Sequence, residues 1–222
     1  MLSCETTVSE ILLESSALAA VFDRLRIDYC DNGHESLRAV CGRRGLDPEK
    51  VMSELELALR RRQPSDLDVR TLSTHDLITK VIARHHRYLH RTLPWLEVLA
   101  ARVVRVHAGR DPSLRDLARQ VAALAQALRS HLDDEERNLF PALLADELEL
   151  AGVLLDVMCA EHGEVIERLA RLRETAADYA PPAWACASYR TLLAELAHLE
   201  ADTLLHLHLE EHVLRPRFRD AS

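Results

Sequence analysis

Glycine is scarce in this chain, with six among 222 residues. An all-β protein needs turn residues every eight to twelve positions or so, so that class is excluded. Neither G-x-G-x-x-G nor G-x-x-x-x-G-K-S/T occurs, which removes the common phosphate-cradling loops. Aromatic residues make up only 4% of the chain, and lysine is nearly missing, Lys50 and Lys80 standing against 26 arginines. The arginine bias is attributed to genome composition before function. No uninterrupted apolar run reaches about 18 residues, so no membrane-spanning helix is expected. A formal charge of −8 disfavours nucleic-acid binding, which runs on basic surface. The segment Met1–Ser9 lacks a basic region followed by a long apolar one, so no signal peptide is expected and a cytoplasmic location is. Five cysteines, an odd number without C-x-x-C spacing, read as reduced thiols rather than a disulfide framework or structural zinc site. What the chain does have is aliphatic side chains and twelve histidines. A mostly helical protein follows, of one large or two small domains.

Helical periodicity starts early. Thr7 and Glu10 are spaced as a capping box, and an apolar stripe follows through Val8, Ile11, Leu12, Leu18, Val21, Phe22 and Leu25. A break is expected around Asp31-Asn32-Gly33, and Asp47-Pro48 opens a short helix through Val51, Met52, Leu55 and Leu59. Residues 1–62 thus read as a small helical domain, 63–72 as a linker and 73–222 as a second module. The second module divides into four long amphipathic segments. They run from Ser73 to His107 with a kink at Pro94, from Asp111-Pro112 to Pro141, from Glu147 to Tyr179, and from Pro181-Pro182 to Pro216. Four helices with short connections predict an antiparallel four-helix bundle.

Within that module one pattern occurs twice. His131–Pro141 and His206–Pro216 share H-L-x-x-E-E-x-x-L-x-P at an offset of 75 residues. Upstream, Leu117, Val121, Leu124, Leu128, His131 and Glu135 match Leu192, Leu196, Leu199, Thr203, His206 and Glu210, both series stepping 4, 3, 4, 3, 4. The bundle therefore reads as two related helical hairpins. His131 with Glu135, and His206 with Glu210, continue the apolar seam instead of lying opposite it. A carboxylate among leucines is costly unless paired or bound to metal, and here it recurs at equivalent positions. His162 continues the stripe of Leu154, Met158, Val165 and Leu169 on the third segment. On the first segment the stripe passes through His85-His86; helical phase slightly favours His85, and sequence geometry does not settle which points inward.

One histidine on each of four helices, with two glutamates, suits two metal ions. Two six-coordinate ions have twelve positions, of which four imidazoles and two bridging carboxylates fill eight. A bridging oxo or hydroxo group takes two more and leaves one open site on each ion, a setting for small-molecule redox chemistry. A single seam histidine is usually a hydrogen-bonded core residue, and Asp133–Arg137 alone would be a solvated face; the repeat is what changes the reading. Glu195 and His198 read as surface, and His90, His208 and His212 as surface or outer-layer residues. Cys30, at the break in the first module, is either a redox thiol or a half-buried inert one. Cys159 reads as packing.

These motifs together resemble a known family. Ile27-Asp28-Tyr29-Cys30 in a short N-terminal module is followed by H-H-x-x-x-x-x-x-L-P from His85, H-L-x-x-E-E-x-x-L-F-P from His131, Glu161-His162 and H-x-x-L-E from His206. The set is similar to the iron–sulfur cluster repair di-iron proteins of the RIC or YtfE/ScdA type. The resemblance implies an all-α fold, a hemerythrin-like bundle preceded by a ScdA-type domain. It implies His86 as the ligand of the first segment, with His131, His162 and His206 as the other imidazoles and Glu135 and Glu210 as bridges. Two irons per chain, carboxylate- and oxo- or hydroxo-bridged, are the implied cofactor. The implied role is repair of iron–sulfur clusters damaged by nitric oxide or oxidants, with damaged iron–sulfur proteins as partners and neither nucleic acid nor membrane among them. Many members carry a Cys-Cys pair in the N-terminal module. Here it is Cys30-Asp31, so a mechanism needing two adjacent thiols does not carry over. Reversible capture of O2 or nitric oxide, and nitric oxide reduction at the open sites, are the alternative chemistries.

Overall fold

The computed structural model describes residues 2–15, 18–27, 29, 33–60 and 69–219. Cys30, the Asp31-Asn32 break and most of the expected linker lie outside the described residues. No β-strand occurs among those described, only an isolated bridge between Thr7 and Ser36. The chain divides into two compact units, residues 1–77 with 204–217, and residues 78–203 with 218–222.

In the first unit, α1 (Val8–Glu14) opens on the capping box anticipated from the sequence. The Thr7 hydroxyl accepts from the Glu10 amide at 3.2 Å, and the Glu10 carboxylate accepts from the Thr7 amide at 3.0 Å. The apolar stripe continues on a separate helix, α2 (Ala19–Leu25), because the backbone turns extended at Ser15. A third helix, α3 (Leu37–Arg44), has no counterpart in the periodicity reading. Ser36 caps its start, and Gly45, at φ 65°, ends it in the left-handed conformation that glycine adopts without a Cβ penalty. In α4 (Pro48–Arg60) the Asp47 carboxylate accepts from the Glu49 amide at 3.1 Å, as the Asp-Pro pair predicts. Val8, Ile11, Phe22, Tyr29, Leu37 and Leu55 form the core of this unit, and Leu205, from near the C-terminus, is buried with them.

The second unit is built from long helices. The helix α5 (Thr74–Val81) leads through a π turn, Ile82–His86, into α6 (Arg87–His107). Pro94 lies inside α6 and does not interrupt it; the departure from α geometry is at Ile82–His86. After α7 (Leu114–Asp134) comes a second π turn, Glu135–Leu139, and then α8 (Phe140–Leu144). The helix thus continues past Pro141, where the sequence reading ended it. A long α9 (Leu148–Thr175) precedes α10 (Ala187–Leu209), a third π turn (Glu210–Leu214) and α11 (Pro216–Arg219), of which residues 204–217 belong to the first unit.

Cross-helix pairs fix the order of this unit. Arg129 Nη1 donates to Glu97 at 2.8 Å between α6 and α7, and Gln120 donates to the Thr175 hydroxyl at 2.7 Å between α7 and α9. Arg173 Nε donates to both Glu200 oxygens at 3.0 Å between α9 and α10. Tyr88 stacks edge-on to His198, and His107 lies near Tyr189, which sets α10 antiparallel to α6. The closed antiparallel bundle follows. Every residue of the two matched 4, 3, 4, 3, 4 series is buried, including both glutamates. Burying each leucine of such a seam contributes about 1.5–3 kcal/mol, which is what holds the charged members in place.

Candidate metal centre

In the second unit three imidazoles converge on one carboxylate. Glu135, 2% exposed, has Oε2 3.4 Å from His86 Nε2 and Oε1 3.2 Å from His131 Nε2. His162 Nε2 lies 4.0 Å from the same Oε1. His131 and Glu135 stand one turn apart on the buried face of their helix, as the i, i+4 spacing requires. The structure separates His85 from His86. Both are buried, but His85 turns its Nδ1 to Asp202 Oδ1 at 3.0 Å, and His86 faces Glu135.

Outer carboxylates orient two of these rings. Glu136 Oε1 lies 2.8 Å from His86 Nδ1, and Glu161 Oε2 lies 2.9 Å from His131 Nδ1. An ionised carboxylate only accepts, so in each pair the Nδ1–H donates. At Glu136, desolvation works to raise the carboxyl, but the hydrogen bond and charge of His86, with His90 beside it, hold it below the usual carboxylate range. The hydrogen bond from His131 does the same at Glu161, against a smaller desolvation cost. The sequence reading missed both. Glu136 was visible as the second glutamate of H-L-x-x-E-E, and Glu161 as the residue before His162.

With Nδ1 protonated, the Nε2 of a neutral imidazole carries a lone pair. The atoms aimed at the middle are imidazole nitrogens and carboxylate oxygens, 3.2–3.4 Å apart. Acceptors without protons between them repel unless a cation lies among them. This donor set fits a metal ion, and its nitrogen–oxygen chemistry suits iron, manganese or zinc. A solvent-open groove is lined by Ala127, Ser130, His131, Glu161, Glu164 and Arg168.

In the first unit, His206 Nε2 lies 3.0 Å from Glu210 Oε1, and neither side chain is exposed. The second unit thus gathers His86, His131 and His162 around Glu135, and the first sets His206 beside Glu210. His208, for which a surface position and a place behind the metal ligands were the two expectations, is fully buried, which excludes the first. It packs edge-on to Tyr29 at 5.7 Å, and burial with the neighbouring His212 pushes its pKa down to about 3, which keeps the ring neutral. His90 is exposed, as is His198, and Glu195 is half-buried.

Residues 77–218 match the hemerythrin HHE cation binding domain, and residues 4–59 match a domain of unknown function, DUF542. The iron–sulfur cluster repair protein YtfE of Enterobacter sp. (strain 638) is 33% identical over 210 residues, 95% of this chain and 94% of its own. The chain belongs to the YtfE family. The YtfE protein of Citrobacter koseri is 32% identical over the same 95% and 94% shares, and that of Musicola paradisiaca 31% identical over 96% of both chains. The hemerythrin-like part of a YtfE-family chain therefore contains all six histidines and glutamates singled out by the repeat and the resemblance. No helix among the described residues is long and apolar enough to cross a membrane.

Proposed function

We propose that this protein restores damaged iron–sulfur clusters, using a di-iron centre held by His86, His131, His162 and His206, with Glu135 and Glu210 bridging. The observation that carries this reading is the buried convergence of imidazole nitrogens on Glu135, in a chain whose relatives are named iron–sulfur cluster repair proteins. The recurrence of a buried His–Glu pair, His131 with Glu135 and His206 with Glu210, supports two ions and bridging carboxylates. Iron in such a site supplies redox change and open coordination positions for small ligands. The chain's own residues do the rest. Glu136 and Glu161 fix the tautomer and direction of two imidazoles, raising their basicity toward metal. The surrounding leucines exclude bulk water, and the groove at His131 leaves one polar route for a departing cation. Iron given to a damaged cluster is cargo on that route, and damaged iron–sulfur proteins are the partners. Clusters damaged by nitric oxide or oxidants are the proposed targets, in the cytoplasm.

The test is recovery of activity in an iron–sulfur enzyme inactivated by nitric oxide. Iron-loaded wild-type protein is expected to restore it, and the double variant Glu135→Ala with Glu210→Ala to fail. Equal recovery with both would show that this site is not responsible. Metal analysis of anaerobically purified protein is expected to give about two irons per chain. Folded protein that takes up no metal after iron loading would overturn the reading altogether.

A further inference from the structure

A second constellation of chemistry-bearing side chains lies at the other end of residues 78–203. His107 is the last residue of α6, 21 positions beyond His86, a distance of about 30 Å along a helix. Its Nε2 lies 3.0 Å from the sulfur of Cys186. Cys186 is exposed, and its carbonyl accepts from the Arg190 amide at 3.0 Å, which makes it the N-cap of α10. Because α6 and α10 are antiparallel, the imidazole stands at a helix C-terminus and the thiol at a helix N-terminus. Positive charge on the first and negative charge on the second both lie along the helix dipoles. The ring is also held in place. Trp184 packs 5.6 Å from it and Tyr189 6.2 Å from it, and the Arg110 guanidinium covers the Trp184 face at 4.8 Å. None of the other described cysteines shares this setting. Cys4 and Cys41 are buried, and burial is the first cause that pushes both thiols up; Cys159 is half-buried.

We propose that Cys186 and His107 form a reactive thiol–imidazole pair whose substrates are low-molecular-weight disulfides. The His107 Nε2 takes the thiol proton, and the Cys186 sulfur attacks one sulfur of the disulfide. A new sulfur–sulfur bond forms as the old one breaks. Cys186 is oxidised to the mixed disulfide, and the leaving sulfur is reduced and departs as a thiolate that recovers the proton from the imidazolium. Arg110 over Trp184 adds a cationic, flat-faced shoulder beside the sulfur. Nothing in this step uses the metal donors, so it stands apart from the repair reading.

Glutathione disulfide is the probe, with peptide mapping by mass spectrometry to read the rate at each cysteine of the full-length protein. Adduct is expected at Cys186 at least about tenfold faster than on a synthetic peptide spanning Pro181–Thr191, and His107→Gln is expected to remove that advantage. Cys4 and Cys41 report folding, since they react only if the protein opens. If His107→Gln exposes them, the wild-type rate against the peptide decides alone. A wild-type rate equal to the peptide's, or an unchanged rate in folded His107→Gln, overturns the proposal.

Discussion

At Glu135 the decisive fact is which ring nitrogen of each histidine faces the carboxylate. The outer carboxylates of Glu136 and Glu161 accept hydrogen bonds from the Nδ1 of His86 and His131, which turns each Nε2 toward Glu135. Glu161→Ala should therefore weaken metal binding about 10- to 100-fold without removing a ligand. Iron transfer to a chromogenic chelator measures this, and an unchanged transfer rate would show that Glu161 does not orient His131. Elsewhere a single side chain has a different task. Thr7→Ala removes the acceptor that caps α1 and should cost about 1 kcal/mol in denaturant unfolding. The four seam ligands of the repeat were legible because polar residues sat in phase with leucines. The choice of His86 over His85 was less so, yet a signal existed: Ile78, Ile82, His86, Leu89 and Leu93 match Leu154, Met158, His162, Val165 and Leu169 at a constant offset of 76.

Among the elements, the three π turns were invisible to periodicity, and each holds a proposed ligand: His86, Glu135 or Glu210. Two have a readable cause. A proline at position 141 or 216 has no amide to give and crowds the carbonyl four residues back. The preceding amide reaches one residue further instead, from Phe140 to Glu135 O and from Arg215 to Glu210 O, the latter at 2.8 Å. The sequence reading took these prolines as helix ends. They are helix wideners, with α8 and α11 continuing beyond them. Nothing comparable follows Ile82–His86. Pro141→Ala with Pro216→Ala should let α geometry return, rotating both glutamates. Iron per chain is expected to fall while far-UV circular dichroism stays unchanged; full iron content would show that the π turns are not needed.

In the whole chain, the N-terminal residues and the end of the last helix belong to one unit. Leu205 lies in the same core as Phe22 and Leu55, and His208 packs on Tyr29, so the turn carrying His206 and Glu210 is built against residues 1–77. Gly33 is part of this fit. A Cβ there would sit 2.7 Å from the Tyr29 carbonyl oxygen and 2.9 Å from the His212 ring. Gly33→Ala should cost about 1–3 kcal/mol, read by thermal unfolding. Deleting residues 1–62 should likewise reduce iron retention, because Leu205 and His208 would lose their cover; full retention would reduce the module to an appendage.

The sequence by itself determined the helical class, the bundle, the paired hairpins and five of the six proposed ligands. Each follows from where apolar side chains recur along a helix, and that is local information. Only the tertiary structure decided that His86 faces Glu135 and His85 does not, and that Glu136 and Glu161 hold the rings. It alone grouped the N-terminal residues with the last helical turns and set His107 against Cys186. These depend on residues distant in sequence meeting in space, and on one extra residue per π turn. Such a shift rotates side chains without changing their spacing along the chain.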